Sequence, residues 1–422
     1  MKKRTNDFAL RSRREFLRDL AWAGAALATT GLHGQSKAAG RKIGVALLGL
    51  GGYASGELGP ALRETKNCYL AGVVTGHPEK GERWAAEYGL NRKNIYNYEN
   101  FDRIADNSDI DIVYVVTPPA LHPEFTIRAA KAGKHVISEK PMATSVADCD
   151  RMIAACKAAK VKLAIGYRLH FDPYHRELMR HAREQDFGPF TKINGAFSFV
   201  FGARAWRVDK KLAGGGPLMD VGIYVLHGTC MAANGVAPIA VTAHEEPKTK
   251  PDLFNEVEET IRWTMEFPNG AKCDAATSYN QSANRFRVEG AKGWMDFDPA
   301  FSYSGIACQT SRGPLNFPAM SQQAAHMDDF ADCVRTGRDT SVPGELGRRD
   351  MQIVTAIYEA ARTGKRVQVK TMILSARCTV ESRCAMMIDV RPSTIRVRAS
   401  RTRSSVSVST LEVASSRMRI LG

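Results

Sequence analysis

Residues 43–54, IGVALLGLGGYA, decide the fold of this 422-residue chain. They begin with an uninterrupted apolar run, which is typical of a strand buried on both faces. The glycines at 49 and 51 and the alanine at 54 follow in the spacing of a dinucleotide-binding turn that opens a helix. Such a turn lets a pyrophosphate approach the backbone at a helix N-terminus. We therefore expect Gly49, Gly51, Tyr53 and Ala54 to bind a dinucleotide cofactor.

An alternation of strands and helices continues this pattern as far as residue 166. Apolar, β-branched strands alternate with amphipathic helices, which indicates a parallel sheet covered by helices on both faces. The further predicted strands are 69–75, 111–118, 134–138 and 162–166, and the predicted helices are 78–88, 121–132 and 145–159. We assign residues 42–166 to an α/β nucleotide-binding domain with a doubly wound parallel sheet.

The pattern changes after the segment HFDPYH. A predicted helix at 173–185 precedes longer strands of alternating polarity, which are typical of an antiparallel sheet. These predicted strands are 190–201, 238–245, 256–267, 271–280, 285–290 and 293–298. A glycine triplet at 214–216 precedes a helix at about 217–233, and two more helices and the strand RVQVK end the region. We assign residues 167–370 to an α+β domain with a large, mostly antiparallel sheet.

The net charge of +15 is concentrated at the two ends of the chain. Residues 1–41 and residues 371–422 each carry +6, and the residues between them carry only +3. The basic balance therefore gives no support to a nucleic-acid partner. The Ser/Arg/Val-rich tail, 371–422, shows no helical or strand period, and we expect it to be disordered.

The nine cysteines show no metal-ligand spacing. No pair has CxxC spacing and no Cys/His cluster has the spacing of a zinc site, so we predict no metal site. An odd number of cysteines in a long chain indicates buried thiols, and a disulfide stays possible on sequence grounds.

The N-terminal segment resembles a twin-arginine signal peptide. Ser12–Arg18 has the sequence SRREFLR, and a weakly apolar, Ala-rich stretch follows and ends with small residues around Ala38. The resemblance implies that residues 1–38 direct export of the folded protein by the twin-arginine translocase. The mature protein would then be periplasmic or otherwise exported. A disordered basic arm is the alternative interpretation.

The end of the second predicted strand favours NADP over NAD. NAD sites usually place Asp or Glu there to hold the ribose hydroxyls. This chain has Thr75 at that point and Lys80 five residues later. A hydroxyl and an ammonium group suit a 2′-phosphate, which a carboxylate would repel. The alternative is that Lys80 is a solvated helix residue.

Two groups of polar residues carry candidate chemistry. Glu139, Lys140 and a proline follow the strand KHVIS at the carboxyl edge of the predicted sheet, where ligands bind in this architecture. Asp220 and Tyr224 lie four residues apart on a predicted helix and therefore share a face. A tyrosine hydroxyl is a poor base alone, but beside an ammonium group it can exchange protons with a sugar hydroxyl. A surface turn and a core tyrosine are the respective alternatives.

Several motifs in order resemble the Gfo/Idh/MocA oxidoreductases, and within them the glucose–fructose oxidoreductase branch. They are EKPMA after a strand, GYRLHFDPYH, AWR followed by GGGPLMDVGIY, and EAARTGKRV. The resemblance covers about residues 43–370. It implies an N-terminal Rossmann domain and a C-terminal domain whose open antiparallel sheet forms the interface of a homo-oligomer, a dimer or tetramer.

The resemblance also implies roles for single residues. Lys140 would orient a small sugar and favour ionisation of the proton donor, Tyr224 would be the acid/base, and Asp220 would position the sugar. Many relatives have histidine at the position of Tyr224. Tyr303 would contact the substrate, and His227 would pack on its helix. The residues that would contact the nicotinamide nucleotide are Thr117, Pro119, His122, Glu139, Lys140, Arg168, Trp206 and Arg207.

These features together predict an exported sugar oxidoreductase with tightly bound NADP(H). It would oxidise an aldose to its lactone and reduce a second sugar carbonyl. The alternatives are a conventional NAD(P)-dependent sugar or cyclitol dehydrogenase with exchangeable cofactor, and an NAD-dependent glycosidase of the same superfamily. A non-catalytic sugar-binding protein is disfavoured because Lys140 and Tyr224 are both present.

Overall fold

The computed structural model describes residues 40–370 and two short strand pairs in the tail. In the tail, Asp389–Arg391 pairs with Thr394–Arg396, and Val413–Ala414 pairs with Arg417–Met418. The predicted signal peptide, 1–38, lies outside the described residues, as does most of the tail that was predicted to be disordered.

The first domain is built on a six-stranded parallel sheet. Its strands are β1 (Ile43–Leu48), β2 (Cys68–Val74), β3 (Ile95–Tyr96), β4 (Ile112–Val115), β5 (His135–Ser138) and β6 (Leu163–Ile165). They lie in the order β3-β2-β1-β4-β5-β6, and every pairing is parallel. All six residues of β1 are buried, as its apolar sequence predicts. The chain reverses the direction of strand addition between β1 and β4, which creates a crevice at the carboxyl ends of these strands.

Four helices connect these strands. They are α1 (Ala54–Leu58, wound as a π turn and continued by Gly59–Glu64), α2 (Pro78–Tyr88), α3 (His122–Lys131) and α4 (Val146–Ala158). Pro78 occupies the first turn of α2, where its missing N–H costs nothing, and α2 ends at Gly89 in the left-handed region at φ 68°.

The second domain contains a nine-stranded sheet. Its strands are β7 (Phe190–Ser198), β8 (Ala240–Glu245), β9 (Thr260–Glu266), β10 (Lys272–Ser278), β11 (Ala283–Gly290), β12 (Gly293–Phe297), β13 (Cys308–Thr310), β14 (Gly313–Pro314) and β15 (Val367–Gln368). They lie in the order β14-β13-β12-β11-β7-β10-β9-β8-β15. Only the β7–β10 pairing is parallel among these described strands. The predicted fold class, a parallel sheet followed by a mostly antiparallel one, is confirmed.

The helices of the second domain cover one face of this sheet. They are α5 (Pro173–Glu184), α6 (Lys210–Ala213), α7 (Leu218–Gly222, wound as a π turn and continued by Ile223–Ala232), α8 (Gln322–Thr336) and α9 (Gly344–Thr363). Every residue of Ile223–Ala232 is buried. The opposite face carries charged side chains, including Arg262, Asp274 and Arg287. The homo-oligomer predicted through this face stays a prediction.

The seven described cysteines are buried. This confirms the prediction of buried thiols for residues 68, 149, 156, 230, 273, 308 and 333, whereas Cys378 and Cys384 lie outside the described residues. Within the described residues, no helix combines the length and the apolar character needed to cross a membrane.

A buried network ties α7 to α9. His227 Nδ1 lies 2.5 Å from Asp350 Oδ2, and the His227 ring stacks on Tyr167 with 3.7 Å between the ring centres. His227 therefore packs against neighbouring elements as well as on its own helix. Arg349 donates to Asp350 Oδ1 from Nε at 2.8 Å and from Nη2 at 2.7 Å. Burial alone would raise the pKa of Asp350, but the charge of Arg349 and the contact with His227 outweigh it and lower the pKa to about 2.

This network predicts an acid-sensitive contribution to stability. Because the folded-state pKa of Asp350 lies below the unfolded value near 3.9, its ionised form stabilises the fold above about pH 4. That contribution, about 2 kcal/mol, is lost as the pH falls from about 4 towards 2. Urea unfolding at a series of pH values should show this slope in the parent and lose it in Asp350→Asn. Asp339→Asn, at a fully exposed side chain, is the control and should keep the slope. An unchanged slope in Asp350→Asn would contradict the assignment.

Candidate active site

A pocket lies at the carboxyl ends of β4 and β5, beside the start of α7. This is the edge of the parallel sheet at which the strand order reverses. Ten residues singled out from the sequence line the pocket: Tyr53, Thr117, Pro119, Glu139, Lys140, Trp206, Arg207, Asp220, Tyr224 and Tyr303. The structure thus brings together residues from both domains, while their chemical roles stay predictions.

The turn after β1 has the shape that a phosphate group requires. Gly49 has φ 98°, and a Cβ there would lie 2.8 Å from the carbonyl oxygen of Val116, so only glycine fits. At Gly51 and Gly52 a Cβ would meet no atom within 4 Å, so open space adjoins the backbone. Ala54 is fully buried at the start of α1. These residues fit the pyrophosphate of a dinucleotide, which binds at a helix N-terminus.

The loop after β4 presents a hydroxyl with unused hydrogen-bonding capacity. Within the described part of the chain, the buried Oγ1 of Thr117 has no hydrogen-bond partner. His122 lies behind this loop, with Nε2 2.8 Å from the Thr117 carbonyl oxygen and Nδ1 3.0 Å from that of Pro141. Burial lowers the pKa of His122 to about 4, so the ring is neutral. His122 therefore braces the loop, and its contact with a nucleotide stays a prediction.

The predicted 2′-phosphate residues lie at the end of the neighbouring strand. Thr75 is buried just after β2, and its Oγ1 accepts a hydrogen bond from the His77 N–H at 3.2 Å. Lys80 is half-buried in the first turn of α2. Glu79 is exposed, and its Oε1 lies 3.3 Å from His77 Nδ1. Neither Thr75 nor Lys80 lines the pocket, so only a ligand that extends along the sheet edge would reach both regions.

Lys140 brings a positive charge from the end of β5 into the pocket. Its Nζ donates to the Asp220 carbonyl oxygen at 2.7 Å and lies 3.7 Å from Asp220 Oδ1. It also lies 4.8 Å from the centre of the Tyr224 ring. Glu139 is buried beside it and accepts hydrogen bonds from the Tyr114 hydroxyl at 2.7 Å and from the Lys140 N–H at 3.1 Å. Burial raises the pKa of Glu139, and the lowering by Lys140 does not cancel this effect.

Asp220 is the carboxylate of the pocket. Its Oδ2 accepts hydrogen bonds from Arg207 Nε at 2.8 Å and from the Tyr279 hydroxyl at 3.0 Å. Burial alone would raise the pKa of Asp220, but the charges of Lys140 and Arg207 outweigh it and hold the pKa below its ordinary value. An ionised carboxylate in this position can accept a hydrogen bond from a substrate hydroxyl.

Tyr224 lies on the pocket side of α7 and is almost fully buried. Its hydroxyl accepts a hydrogen bond from Arg168 Nε at 3.3 Å. Arg168 is only 2% exposed and is covered by Tyr303, whose ring centre lies 4.5 Å from the guanidinium carbon. Tyr303 in turn contacts Tyr53, with 5.6 Å between the ring centres. Arg168 therefore contacts protein groups in this structure, and its predicted contact with a nucleotide stays a prediction.

The glycine triplet lets α7 begin close to a buried carboxylate. A Cβ at Gly215 would lie 1.9 Å from the Tyr358 hydroxyl oxygen, so a larger residue would displace that ring. Glu258 accepts hydrogen bonds from the N–H groups of Gly216 at 2.9 Å and Leu218 at 3.0 Å, and from the Tyr358 hydroxyl at 2.9 Å. Glu258 thus holds the first turn of the helix that carries Asp220 and Tyr224.

Sequence reasoning missed two of these residues. Tyr279 comes directly after β10 and is fully buried, yet it belongs to no motif and falls within a predicted strand. Glu258 likewise lies before β9 in a predicted strand. A polar residue at the end of an apolar strand was the only available signal for either.

Two family models match the chain. The first, described as an oxidoreductase family with an NAD-binding Rossmann fold, matches residues 43–167. The second, described as the GFO/IDH/MocA C-terminal domain, matches residues 175–296.

Individual proteins with related sequences act on sugars according to their names. A solved structure of aldose-aldose oxidoreductase from Caulobacter crescentus, complexed with glycerol, is 43% identical, with a TM-score of 0.75. The similarity covers 78% of this chain and 100% of that one. The D-xylose 1-dehydrogenase [NADP(+)] of Haloarcula marismortui is 28% identical over 77% of this chain and 92% of its own length. The 1,5-anhydro-D-fructose reductase of Ensifer adhaerens is 26% identical over 72% of this chain and 91% of its own length.

The contacts of Glu258 predict how strongly it stabilises the protein. Glu258→Leu should lower the free energy of unfolding by roughly 3 kcal/mol, because it leaves two buried N–H groups and a phenol without their acceptor. Glu258→Gln keeps one acceptor oxygen and a similar volume, so it should cost about 1 kcal/mol. Urea unfolding of the three proteins at neutral pH measures both values. Equal stability of the Leu and Gln variants would show that these hydrogen bonds do not hold α7.

Proposed function

The chain belongs to the Gfo/Idh/MocA oxidoreductase family, and from this premise we propose that it is an exported, NADP(H)-containing sugar oxidoreductase. It oxidises an aldose to its lactone and passes the reducing equivalents to the carbonyl of a second sugar. The similarity to an aldose-aldose oxidoreductase over nearly all of residues 43–370 supports the choice of substrates.

The observation that carries the proposal is the arrangement around Tyr224. Its hydroxyl is hydrogen-bonded to one cation, Arg168, its ring lies beside a second, Lys140, and it shares a pocket with the ionised carboxylate of Asp220. Such a group of residues can exchange a proton with a sugar hydroxyl that Asp220 and Lys140 orient. A sugar-binding site without chemistry would need the carboxylate but would not need two cations beside a phenol.

The residues of the chain supply the proton transfer. The turn at Gly49 and Gly51 would hold a nicotinamide dinucleotide, which would supply the hydride chemistry at the sugar C1–H bond. During oxidation the Tyr224 phenolate oxygen takes the proton of the anomeric hydroxyl, so the C1–O bond becomes the carbonyl of a lactone. During reduction the Tyr224 hydroxyl gives this proton to the oxygen of the second sugar and becomes a phenolate again. Asp220 accepts a hydrogen bond from a neighbouring sugar hydroxyl in both directions.

NADP is the proposed cofactor. The end of β2 presents Thr75 and Lys80 and has no carboxylate directly after the strand, which suits a 2′-phosphate. The similarity to an NADP(+)-dependent xylose dehydrogenase supports the same choice. That similarity also favours the second candidate function, a conventional sugar dehydrogenase that releases its cofactor after each turnover.

Export by the twin-arginine route completes the proposal. Nicotinamide nucleotides are made in the cytoplasm, so a protein that retains one must acquire it before export. The site is assembled from two folded domains, and the twin-arginine route accepts folded proteins. The segment Ser12–Arg18 and the Ala-rich stretch after it support this localisation.

The proposed function predicts which nucleotide the protein carries. Mature protein purified without added nucleotide should release about one equivalent of NADP(H) when it is denatured. Before denaturation, an aldose should raise the nicotinamide absorbance of the protein and a ketose should reverse the change. Release of NAD instead would contradict the cofactor assignment. An empty protein that binds nucleotide reversibly would support the conventional dehydrogenase.

The same absorbance assay tests Tyr224. Tyr224→Phe should retain nucleotide but slow its reduction by an aldose roughly 10²–10⁴-fold, because the proton acceptor is lost. Tyr96→Phe is the control and should react at the parental rate. Tyr96 lies on the far strand β3, where its hydroxyl accepts a hydrogen bond from Asn107. Parental turnover in Tyr224→Phe would refute the assigned role.

The export proposal makes a separate prediction. Replacing both Arg13 and Arg14 with lysine should leave the precursor in the cytoplasm, because the translocase requires the arginine pair. Cell fractionation and immunoblotting measure the distribution. A variant with Arg11→Lys and Arg18→Lys removes the same chemical groups outside the pair and should still be exported. Normal export of the Arg13/Arg14 variant would rule out the twin-arginine route.

A further inference from the structure

Arg168 is a buried cation whose hydrogen bonds all go to neutral groups. It begins the short helical turn Arg168–Phe171 after β6. Its Nη1 donates to the Ser302 carbonyl oxygen at 3.0 Å and to the side-chain oxygen of Gln322, and its Nη2 donates to the Phe301 carbonyl oxygen at 2.5 Å. Its Nε donates to the Tyr224 hydroxyl. Among residues 40–370, no carboxylate forms an ion pair with it.

A buried cation whose direct partners are all neutral is energetically unfavourable, and the carboxyl groups of Glu57 and Glu139 act on Arg168 only through space. Transfer of a guanidinium from water into a protein interior costs several kcal/mol, and neutral hydrogen-bond acceptors recover only part of this. The cost is offset where a negative charge develops next to the cation. Of the groups hydrogen-bonded to the Arg168 guanidinium, the Tyr224 hydroxyl is the one that can lose a proton, whereas Tyr303 contacts Arg168 through its ring.

We propose that Arg168 is the counter-ion of the Tyr224 phenolate and thereby sets the pH at which this acid/base ionises. The inference rests on the proposed role of Tyr224 in proton transfer. Arg168 exchanges no proton itself, because a guanidinium stays charged in proteins. When the phenolate takes the proton of a sugar hydroxyl, the charge opposite Arg168 disappears, and it returns when Tyr224 gives the proton away.

Lys140 is placed for a different task. Its Nζ is held by the Asp220 backbone carbonyl at 2.7 Å and faces the ring of Tyr224, with no hydrogen bond to the hydroxyl among the described residues. Lys140 is therefore placed to act with Asp220 on the substrate, whereas Arg168 is the cation that contacts the phenolic oxygen of Tyr224. The family resemblance instead implied a nucleotide contact for Arg168 and assigned the ionisation of the proton donor to Lys140.

The guanidinium is held in place by buried groups that lie behind it. Gln322 accepts a hydrogen bond from Arg168 and donates from Nε2 to Asp172 Oδ2 at 3.2 Å. Asp172 is itself fixed by the His175 ring, whose Nδ1 lies 3.0 Å from Oδ1. The Arg168 side chain thus has one orientation before any ligand arrives, as electrostatic preorganisation requires.

Other ionisable groups also face Tyr224, and the test must separate them from Arg168. Across the packed elements these groups are Tyr53, Tyr114, Glu139, Lys140, Tyr167, Asp220, His227 and Tyr303. They are identical in the parent and in any Arg168 variant, so a difference between the two reports the removed charge.

The experiment is an absorbance titration of tyrosinate in four proteins. They are the full-length parent, Tyr224→Phe, Arg168→Met, and the double variant. Each protein that has Tyr224 is paired with its Tyr224→Phe counterpart: the parent with Tyr224→Phe, and Arg168→Met with the double variant. The difference within a pair is the ionisation of Tyr224 alone, without that of the other tyrosines. We expect Tyr224 to ionise at a pH roughly 1–3 units higher without Arg168, as for other groups that lose an adjacent opposite charge. The ascending limb of aldose oxidation against pH should move by the same amount.

Three controls separate this effect from a loss of structure. Arg168→Lys keeps the positive charge but loses the planar guanidinium with its forked donors. Tyr224 should therefore ionise close to the parental pH in this variant. Arg168→Gln removes the charge but keeps a hydrogen-bond donor, and it serves as the second neutral variant if Arg168→Met fails to fold. Gln322→Leu disturbs the same contacts without removing the charge, so it should move the titration of Tyr224 by less than either neutral variant.

An unchanged ionisation pH of Tyr224 in a folded neutral variant would overturn the inference. This result differs from failure of the proposed function, because the titration does not require turnover. A parent that shows the expected titration but is not reduced by aldoses would remove the proposed reaction and leave the Arg168–Tyr224 pair in place.

Discussion

The contact between Lys140 and Asp220 joins the two domains at the pocket, and the geometry of the whole site depends on it. Lys140 follows β5 of the parallel sheet, yet its ammonium donates to a carbonyl oxygen in the first turn of α7. That turn is fixed from the other side by Glu258, and the same helix is tied to α9 by His227 and Asp350. Because the Asp220 end of the contact is held in this way, a shift of one domain against the other would separate Lys140 from Asp220 and Tyr224 from the crevice. The site therefore exists only when both domains are folded and docked.

The pocket contains more cationic than anionic side chains. Lys140, Arg168 and Arg207 contribute three cations, while Asp220 contributes one carboxylate with a pKa below its ordinary value. Glu139 is the second carboxyl group of the pocket, and burial raises its pKa. The pocket thus holds an excess of positive charge while Tyr224 is protonated, and ionisation of Tyr224 reduces it. This excess of positive charge is what the proposed phenolate of Tyr224 would offset during oxidation of a hydroxyl.

The sequence predicted the parts of the site that follow from local patterns. The turn at Gly49, the strand before Lys140 and the helix carrying Tyr224 are set by apolar runs and glycine spacing, and the structure has them where the patterns place them. Strands β3 and β14, with two residues each, and β13, with three, were missed because so few residues show no period. The partners of Arg168 and the hydrogen bond from Tyr279 to Asp220 could not be predicted, because they join residues 56 to 154 positions apart. Such contacts depend on how the domains dock, which no local pattern encodes.

The cysteines connect the fold to the proposed export route. Burial raises the pKa of the thiols of Cys149, Cys156, Cys230, Cys273 and Cys308 to about 12, so in the folded protein they are protonated and unreactive. If the chain crossed the membrane unfolded, it would present the same thiols to an oxidising compartment, where disulfides between them would form and oppose folding. The proposed export in the folded state would avoid this, because thiolate formation and access would both be suppressed before the protein left the cytoplasm. The requirement to acquire a nucleotide first and the requirement to protect buried thiols therefore favour the same route.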